Sequence, residues 1–346
     1  MSASISITEA IALIGGRRNL SRRQMQAVFE QIMTGQVSAE DMAGFLKTLA
    51  AKGETVEEIA GAADVMNDKV TRVRCDADCI DTCGTGGDGI STFNVSTTAA
   101  IIAAAAGATV AKHGNRTHTR VSGSAEAIGE LGVNLDAPVP VLERCLRQCR
   151  IAFLYAPNLH PAMKYAAPVR KALGIRTIFN LLGPLTNPAG ARRQLLGTSR
   201  PELTETLAAV LAARDATFAW VVHAHNGLCD LSITGPTRVT EVRAGRTRTF
   251  EICPDDLGLE PAPLETLLVD SPQASAAAIR DILDARDRGP RRRHALLNAA
   301  AALLVAGLAD DLRAGLTLAA RAVDEGKARQ TLERLARISK SESDGS

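Results

Sequence analysis

The sequence predicts an α/β protein with a small N-terminal all-helical domain, residues 1–72, and a larger α/β domain, residues 73–338, in which helices surround a central, mostly parallel sheet. Two patterns predict this class. Apolar residues in the first part of the chain recur only at helical spacing, whereas short apolar runs alternate with helical stretches from about Cys79 onward. We expect a C-terminal or inter-strand helix to pack on the helical domain, and the polar tail, residues 339–346, to be disordered.

The N-terminal domain is predicted from its helix boundaries. Ser21 with Gln24 and Thr55 with Glu58 have the spacing of capping boxes, which satisfy free N–H groups at a helix start. Apolar side chains between these boxes repeat at helical spacing and predict an amphipathic helix (Met25, Val28, Phe29 and Ile32). Glycines at positions 15, 16, 35 and 53 divide the region into four short helices, on which we expect a dimer interface.

The larger domain is predicted from strands and helices that follow one another in alternation. Candidate strands lie at residues 80–83, 109–111, 151–156, 194–198 and 218–223, and candidate helices at 97–107, 123–131, 161–173 and 201–213. Such alternation predicts parallel strands, with ligands bound at the loops that follow their carboxyl ends. Residues 231–252 are expected to form hairpin strands with turns at Pro236 and Gly245, and residues 272 to about 337 to be helical.

Composition and charge indicate a cytoplasmic globular protein. Of the 346 residues, 46% are hydrophobic and 23% charged, and a net charge of +2 gives no drive toward nucleic acid or membrane surfaces. The N-terminus lacks the basic and apolar regions of a signal peptide, and no apolar run is long enough to span a bilayer. Without such a signal, the seven cysteines are expected to be reduced thiols that fill the core.

The first candidate site is a glycine-rich and hydroxyl-rich loop at residues 84–97 (GTGGDGISTFNVST). Glycines allow the backbone to approach an anion, and the loop joins a candidate strand to a helix that Ser96 and Thr97 are expected to open at its N-cap. These features predict a phosphate site. A tight strand-to-helix turn capped by Ser96 is the alternative interpretation of this loop taken alone.

A second loop, residues 112–120 (KHGNRTHTR), follows the next candidate strand. Lys112, Arg116 and Arg120 place three cations among glycine, amide and hydroxyl groups, which suits a pyrophosphate or a ribose phosphate. A solvated basic turn would explain the arginines but not Gly114 and Asn115 between them. Two such loops, separated by one helix and a short strand, indicate one ligand held from both sides.

Together with residues 156–163 (APNLHPAM), 168–170 (PVR) and 179–188 (FNLLGPLTNP), these loops resemble the anthranilate phosphoribosyltransferase family over nearly the whole chain. The resemblance implies transfer of the phosphoribosyl group of 5-phosphoribosyl diphosphate to anthranilate in tryptophan biosynthesis, with release of pyrophosphate. It also implies Mg²⁺ as cofactor and a homodimer formed through the helical part. No membrane partner is expected.

The same resemblance implies roles for individual residues. The diphosphate and ribose contacts would be Gly84, Gly87, Asp88, Thr92, Asn94, Ser96, Thr97, Lys112 and Ser124. Anthranilate would be bound by Gly84, Asn115 and Arg170, whose guanidinium can hold the carboxylate in bidentate fashion. Ser96 would also bind magnesium. Positioning and charge neutralisation would supply most of the acceleration, so no catalytic nucleophile is required. We expect His113 to shape its loop and His160 to lie nearer the aromatic substrate.

This chain departs from the family pattern at two places. Cys229 and Asp230 stand where the resemblance implies an Asp-Glu pair that holds magnesium, and a thiol is a poor ligand for this hard ion. A softer metal at Cys229, His223 and His225 is an alternative. In the second loop His118 and Arg120 replace small or hydroxyl residues, and we expect Arg120 to bind the diphosphate and partly compensate for the weakened metal site. It could instead block the substrate or point outward.

Three other functions remain open. A phosphoribosyltransferase could use another aromatic or nitrogen nucleophile, although Arg170 and Asn115 favour anthranilate. A non-enzymatic nucleic-acid-binding paralogue would require a strongly basic face, for which the run at residues 291–293 (RRR) is the best support. We expect that run to be a solvated turn at a helix start. A pyrimidine nucleoside phosphorylase shares the architecture but fits the first loop less well.

Overall fold

The computed structural model describes residues 5–117 and 119–342 of the chain. Its N-terminal lobe begins with helices α1 (Ile7–Gly15), α2 (Arg22–Met33), α3 (Ala39–Lys52) and α4 (Val56–Asp68). Both predicted capping boxes form, at the starts of α2 and α4. Glu58 in the second box is fully buried and also binds Lys52 and the backbone N–H of Leu20, so this cap holds three segments of the lobe together.

The larger lobe contains a sheet that, within the described residues, has seven strands in the order β3-β2-β1-β4-β5-β6-β7. The strands are β1 (Ile80–Gly84), β2 (Val110–Gly114), β3 (Ile151–Tyr155), β4 (Arg193–Gly197), β5 (Phe218–Ala224), β6 (Thr237–Arg243) and β7 (Arg246–Ile252). Strands β1 to β5 are parallel, and β6 and β7 add an antiparallel hairpin at one edge. The predicted fold class is confirmed.

Helices connect the strands and cover the sheet on both sides. They are α5 (Val95–Ala105), α6 (Ser124–Glu130), α7 (Val139–Cys149), α8 (Ala156–Leu159), α9 (Met163–Leu173), α10 (Phe179–Leu182), α11 (Leu203–Ala213), α12 (Pro272–Leu283), α13 (Pro290–Ala306), α14 (Leu312–Asp324) and α15 (Lys327–Ser339). None of the helices in the described ranges is long and apolar enough to cross a membrane.

Two hydrophobic clusters lie on opposite faces of the sheet because side chains alternate along each strand. In β5, Phe218, Trp220 and Val222 belong to one cluster, and Ala219 and Val221 belong to the other. Helices α5, α7, α13 and α15 complete the first cluster, whereas α11 and the N-terminal helices complete the second. Helix α9 packs against α2 and α3, so the helical lobe contains a helix that lies between strands in the sequence.

The structure corrects several predicted boundaries. Helix α5 begins at Val95 with Asn94 at the N-cap position, so Ser96 and Thr97 lie in its first turn rather than at the cap. The predicted hairpin at 231–252 is formed only by β6 and β7, and residues 231–236 are a loop. Ser339, predicted to start the tail, is buried at the end of α15, and residues 343–346 lie outside the described part of the chain.

The basic run at residues 291–293 is not a solvated turn. It lies in the first turn of α13, where Arg291 donates hydrogen bonds to the carbonyls of Thr266 and Leu268 at 3.0 and 2.9 Å. Arg292 is buried and pairs with Asp324 at 2.9 Å. Because these guanidinium groups bind within the fold, the run does not form an exposed basic face of the kind that nucleic acid requires.

Candidate active site

Three neighbouring strands at the centre of the sheet end in glycine, at Gly84 of β1, Gly114 of β2 and Gly197 of β4. From β1 the chain first adds β2 and β3 on one side and then returns to add β4 on the other. The carboxyl ends of β1 and β4 therefore form a topological switch point, where open α/β sheets bind their ligands. Both predicted loops leave the sheet at this edge, since they follow β1 and β2.

The segment after β5 packs directly against this switch point. A Cβ atom placed on Gly197 would lie 1.6 Å from the carbonyl oxygen of Cys229, so only glycine allows this approach. A Cβ atom on Gly84 would lie 3.7 Å from the Cβ atom of Cys229. Cys229 and the adjacent Asp230 are thus brought to the start of the first loop, although they are far from it in sequence.

An arginine that the sequence analysis missed supports the first loop. Arg176 donates a hydrogen bond to the carbonyl of Gly87, and its other terminal nitrogen lies 3.3 Å from the hydroxyl of Ser199 after β4. Gly87 has φ +81°, and a side chain there would collide with this guanidinium. The available signal was the position of Arg176, three residues before the start of the 179–188 motif. The arginine links the first loop to the end of β4.

The polar side chains of the first loop differ in how many hydrogen-bond partners they have. The buried Oγ1 atoms of Thr92 and Thr97 have no hydrogen-bond partner among the described residues, and such orphaned groups require an explanation. Asn94, by contrast, has three side-chain hydrogen bonds: its side-chain oxygen accepts from Ser122 and Ser275 at 2.7 Å each, and its side-chain amide donates one to the carbonyl of Ser122. Asn94 therefore joins the first loop to α12 and to the segment between the second loop and α6.

Lys112 is buried between the two loops. Its ammonium donates hydrogen bonds to the carbonyl of Thr82 and, at 3.3 Å, to the hydroxyl of Ser96. Burial lowers the pKa of Lys112, and the nearby carboxyl of Asp81 opposes that effect. Burial likewise raises the pKa of Asp81 to about 6, against the charge of Lys112. The pair places a cation beneath the first turn of α5, which contains Ser96 and Thr97.

Arg120 makes a bidentate ion pair with Asp88, which joins the second loop to the first. The Asp88 side chain is fully buried and that of Arg120 is 15% exposed. Burial raises the pKa of Asp230 to about 6, and the positive charges of Arg120 and then Lys112 oppose this rise. Burial also raises the pKa of Cys229 to about 12, so this side chain stays a neutral thiol. Arg120 thus acts on three side chains of the predicted diphosphate and metal sites.

A histidine pair lies at the end of β2. The Nε2 atoms of His113 and His160 are 3.1 Å apart, and Nδ1 of His113 lies 3.0 Å from the carbonyl of Gly183. Because a carbonyl only accepts, Nδ1 of His113 carries the proton and its Nε2 accepts from Nε2–H of His160. Burial lowers the pKa of His113 to about 3 and that of His160 to about 4, so both rings are neutral. The pair joins β2 to the segment that leads into α9.

The predicted anthranilate residues follow the strands and helices of this framework, and no hydrogen bond joins them to one another in the described part of the chain. Asn115 is exposed just beyond β2, and its side-chain oxygen accepts from the backbone N–H of Arg116 at 2.7 Å. Ser124 donates to the carbonyl of Asn115 at 3.2 Å. The guanidinium of Arg170 stacks 5.2 Å from the ring centre of Phe179 and forms no hydrogen bond or ion pair within the described residues. Arg170 therefore has donors free for a carboxylate.

The donor atoms at this edge fit one kind of metal site and not another. Ser96 and Asp230 offer oxygens of the type Mg²⁺ prefers, and Mg²⁺ usually completes its coordination with substrate phosphates and water. The thiol of Cys229 does not fit that ion. The softer-metal alternative is not supported, because among the described residues no group of three or more His, Cys, Asp or Glu side chains is placed to hold a metal ion. His223 binds the carbonyl of Thr198, and His118 lies outside the described residues.

Comparison with known proteins places this architecture in one family. Residues 8–70 match the family model described as "Glycosyl transferase family, helical bundle domain", and residues 76–329 match "Glycosyl transferase family, a/b domain". The chain is 48% identical to anthranilate phosphoribosyltransferase from Chloroflexus aggregans over 98% of this chain and 100% of the relative. It is 49% identical to the enzyme of that name from Roseiflexus castenholzii, over 96% and 98% of the two chains.

Solved structures show the same likeness. The anthranilate phosphoribosyltransferase from Thermus thermophilus superposes with a TM-score of 0.91 at 38% identity, covering 96% of this chain and 99% of that one. The Saccharomyces cerevisiae enzyme in complex with PRPP and Mg superposes with a TM-score of 0.87 at 27% identity, covering 96% and 97%. Both similarities extend over the helical and the α/β lobes.

Proposed function

Because the chain belongs to the anthranilate phosphoribosyltransferase family, we propose that the two loops at the switch point bind 5-phosphoribosyl diphosphate and that Arg170 binds anthranilate. The protein is a glycosyltransferase of tryptophan biosynthesis: it transfers the phosphoribosyl group to the amine of anthranilate and releases pyrophosphate. One observation carries the assignment of the site. Lys112 with Ser96, and Arg120 with Asp88, join the two loops, and the first loop contains the orphaned hydroxyls of Thr92 and Thr97.

The proposed site residues act on two parts of the reaction: some bind the leaving pyrophosphate, and others bind the nucleophile, anthranilate. The nitrogen lone pair of anthranilate forms the new bond to C1 of the ribose, and the C1–oxygen bond breaks with its electron pair going to pyrophosphate. The amine proton is released after the new bond forms. Lys112 and Arg120 supply positive charge where the pyrophosphate develops negative charge, which lowers the barrier. The hydroxyls of Thr92 and Thr97 supply donors to the same group.

The acceptor is held by its carboxylate. Arg170 has free donors, and a guanidinium binds a carboxylate through two parallel hydrogen bonds that also fix its orientation. The neutral histidine pair fixes β2, and hence Asn115, relative to α9, which carries Arg170. Positioning the amine near C1 in this way replaces a bimolecular encounter with an oriented one. The unpaired Arg170 favours an acceptor with a carboxylate over other nitrogen nucleophiles.

We also propose that Mg²⁺ binds with the substrate diphosphate, held on the protein side by Ser96 and Asp230. When bound, the ion neutralises negative charge on the departing pyrophosphate. The yeast relative whose structure contains PRPP and Mg supports this proposal. Cys229, by contrast, is not expected to coordinate the ion.

The direct test follows the loss of anthranilate fluorescence when the purified protein and 5-phosphoribosyl diphosphate are mixed across a Mg²⁺ titration. Turnover that requires Mg²⁺ would support both the acceptor and the cofactor. If 5-phosphoribosyl diphosphate binds but anthranilate is not consumed, the acceptor assignment is wrong. If neither substrate binds, the proposed roles of both loops are wrong.

Two further proposals concern the protein in the cell. We propose a homodimer formed through the helical lobe, where partly buried apolar side chains such as Ile11 and Leu13 lie at the edge of the core. Light scattering after size-exclusion chromatography would measure its mass. We also propose a cytoplasmic location, which the free cysteines of the described chain support because reduced thiols persist in that compartment. Cell fractionation would test this.

A further inference from the structure

The site contains a resident guanidinium beside a pair of residues that cannot form a complete magnesium site. Cys229 lies against Gly84, at the start of the first loop, and its side chain is a buried neutral thiol. Asp230 offers a single carboxylate on a short side chain. Mg²⁺ takes oxygen ligands in near-ideal octahedral geometry, and a thiol removes one of the positions that the protein could supply.

Arg120 is anchored to the first loop, against which Cys229 also packs. It uses two N–H groups in the ion pair with the buried Asp88 carboxylate, which fixes the plane of the guanidinium. A guanidinium has five N–H donors, so three remain for oxygens of another group. Arg120 contacts the first loop at Asp88, and Cys229 packs against the same loop at Gly84. Asp88 therefore orients the guanidinium at the same loop against which Cys229 packs.

We propose that Arg120 takes the place of a second divalent cation, of the kind that an Asp-Glu pair at positions 229 and 230 would hold, so that this protein binds 5-phosphoribosyl diphosphate with a single Mg²⁺. The free donors of Arg120 would bind diphosphate oxygens directly, and its charge would offset charge on the leaving group. A guanidinium suits this task because it stays protonated and matches phosphate geometry. This inference rests on the proposed function, since it assigns a partner to the same ligand.

The alternative is that Arg120 blocks the site. In that arrangement the ion pair with Asp88 would occupy the space needed by the diphosphate, and the arginine would have to leave before the substrate could bind. The two arrangements predict opposite effects of removing the side chain. Loss of a diphosphate ligand weakens substrate binding, whereas removal of a blocking group strengthens it.

The first experiment measures 5-phosphoribosyl diphosphate binding to the full chain by calorimetry across a Mg²⁺ series. We expect Arg120→Ser to weaken binding by at least about tenfold at low Mg²⁺, the usual size of a charge-assisted hydrogen bond, and by less at high Mg²⁺. Arg120→Lys should restore part of the affinity because it keeps the charge without the fork. Arg321→Ser is the control: it removes the same charge from an exposed ion pair on α14 and should match the wild type.

The second experiment counts bound metal ions. With 5-phosphoribosyl diphosphate present, Mn²⁺ resonance spectra should show one ion on the wild-type protein. The triple variant Arg120→Ser, Cys229→Asp and Asp230→Glu should bind two, because it replaces the guanidinium with a pair of carboxylates. The number of Mn²⁺ ions on the wild-type protein tests the proposal without the variant. The experiment is therefore decisive even if the triple variant does not fold.

Three results would overturn the inference while leaving the proposed function intact. These are an equal loss of affinity for Arg120→Ser at every Mg²⁺ concentration, tighter binding by that variant, and two Mn²⁺ ions on the wild-type protein. A different result would overturn both proposals together: wild-type protein that does not bind 5-phosphoribosyl diphosphate at any Mg²⁺ concentration.

Discussion

The close approach of Gly197 to Cys229 makes a quantitative prediction. In Gly197→Ala the new methyl group would lie 1.6 Å from the carbonyl oxygen of Cys229, so the backbone must shift by roughly 1.4 Å to reach the 3.0 Å that real contacts respect. The obstacle is backbone rather than a flexible side chain, and no rotamer change can relieve it. The shift must carry Cys229 and Asp230 away from the switch point.

The expected cost follows from overpacking energetics. Inserted methyl groups in packed regions destabilise by about 1–3 kcal/mol, and a collision with backbone belongs at the upper end. With an unfolding entropy of about 2.1 cal/mol/K per residue over 346 residues, 3 kcal/mol corresponds to a fall of about 4 °C in the unfolding midpoint. A displacement near 1 Å at the site should also lower turnover by about a hundredfold.

Calorimetry and the anthranilate fluorescence assay measure the two effects. Gly235→Ala is the matched control, since it makes the same chemical change where no atom lies within 4 Å and the backbone has no positive φ. We expect that variant to match the wild type in both measurements. If Gly197→Ala has the midpoint and turnover of the control, the packing argument for the switch point is wrong.

Three other predictions follow from single side chains. Arg170→Ala should raise the KM for anthranilate by at least about tenfold, through loss of charge-assisted hydrogen bonds, while the KM for 5-phosphoribosyl diphosphate changes little; steady-state kinetics would measure both. Burial lowers the pKa of His294 to about 3, so the folded protein resists protonating this ring and loses stability as pH falls from about 6.5 toward 3. His294→Gln cannot titrate, and its unfolding midpoint should fall less between pH 7 and pH 5, relative to its own pH 7 value, than that of the wild type; an equal fall would contradict the assignment. Ser275→Ala removes one support of Asn94 and should lower the unfolding midpoint and raise the KM for 5-phosphoribosyl diphosphate together, whereas unchanged values would show that the loop does not depend on α12.

The fold class could be predicted because it depends on local patterns. Alternating strands and helices, and the capping boxes at Ser21 and Thr55, depend on residues that are close in the sequence. Both features appear in the structure. The start of α5 was misplaced because Ser96 and Thr97 have the chemistry of a cap, while Asn94 occupies the position. Ser, Thr and Asn are all favoured at the N-cap position, so residue type alone does not locate the cap. The backbone conformation determines which residue occupies it.

The contacts within the site could be predicted only in part. Both loops were found from their composition, yet the ion pair between Asp88 and Arg120 joins residues 32 apart, and no local pattern pairs them. Arg176 reaches Gly87 across 89 residues of sequence. The burial of Arg292 was missed because a run of arginines resembles a solvated surface until its partner, Asp324 on α14, is known.

The three strands that end in glycine form one surface of the site from main-chain atoms. A main-chain surface offers a ligand only peptide groups, which every sequence shares. It therefore cannot by itself distinguish one acceptor from another. Selectivity must then come from residues that the loops and α9 carry, such as Arg170 and Asn115. Relatives could change substrate scope by exchanging these outer segments while the sheet stays unaltered, and a protein engineer could graft new loops onto the same platform.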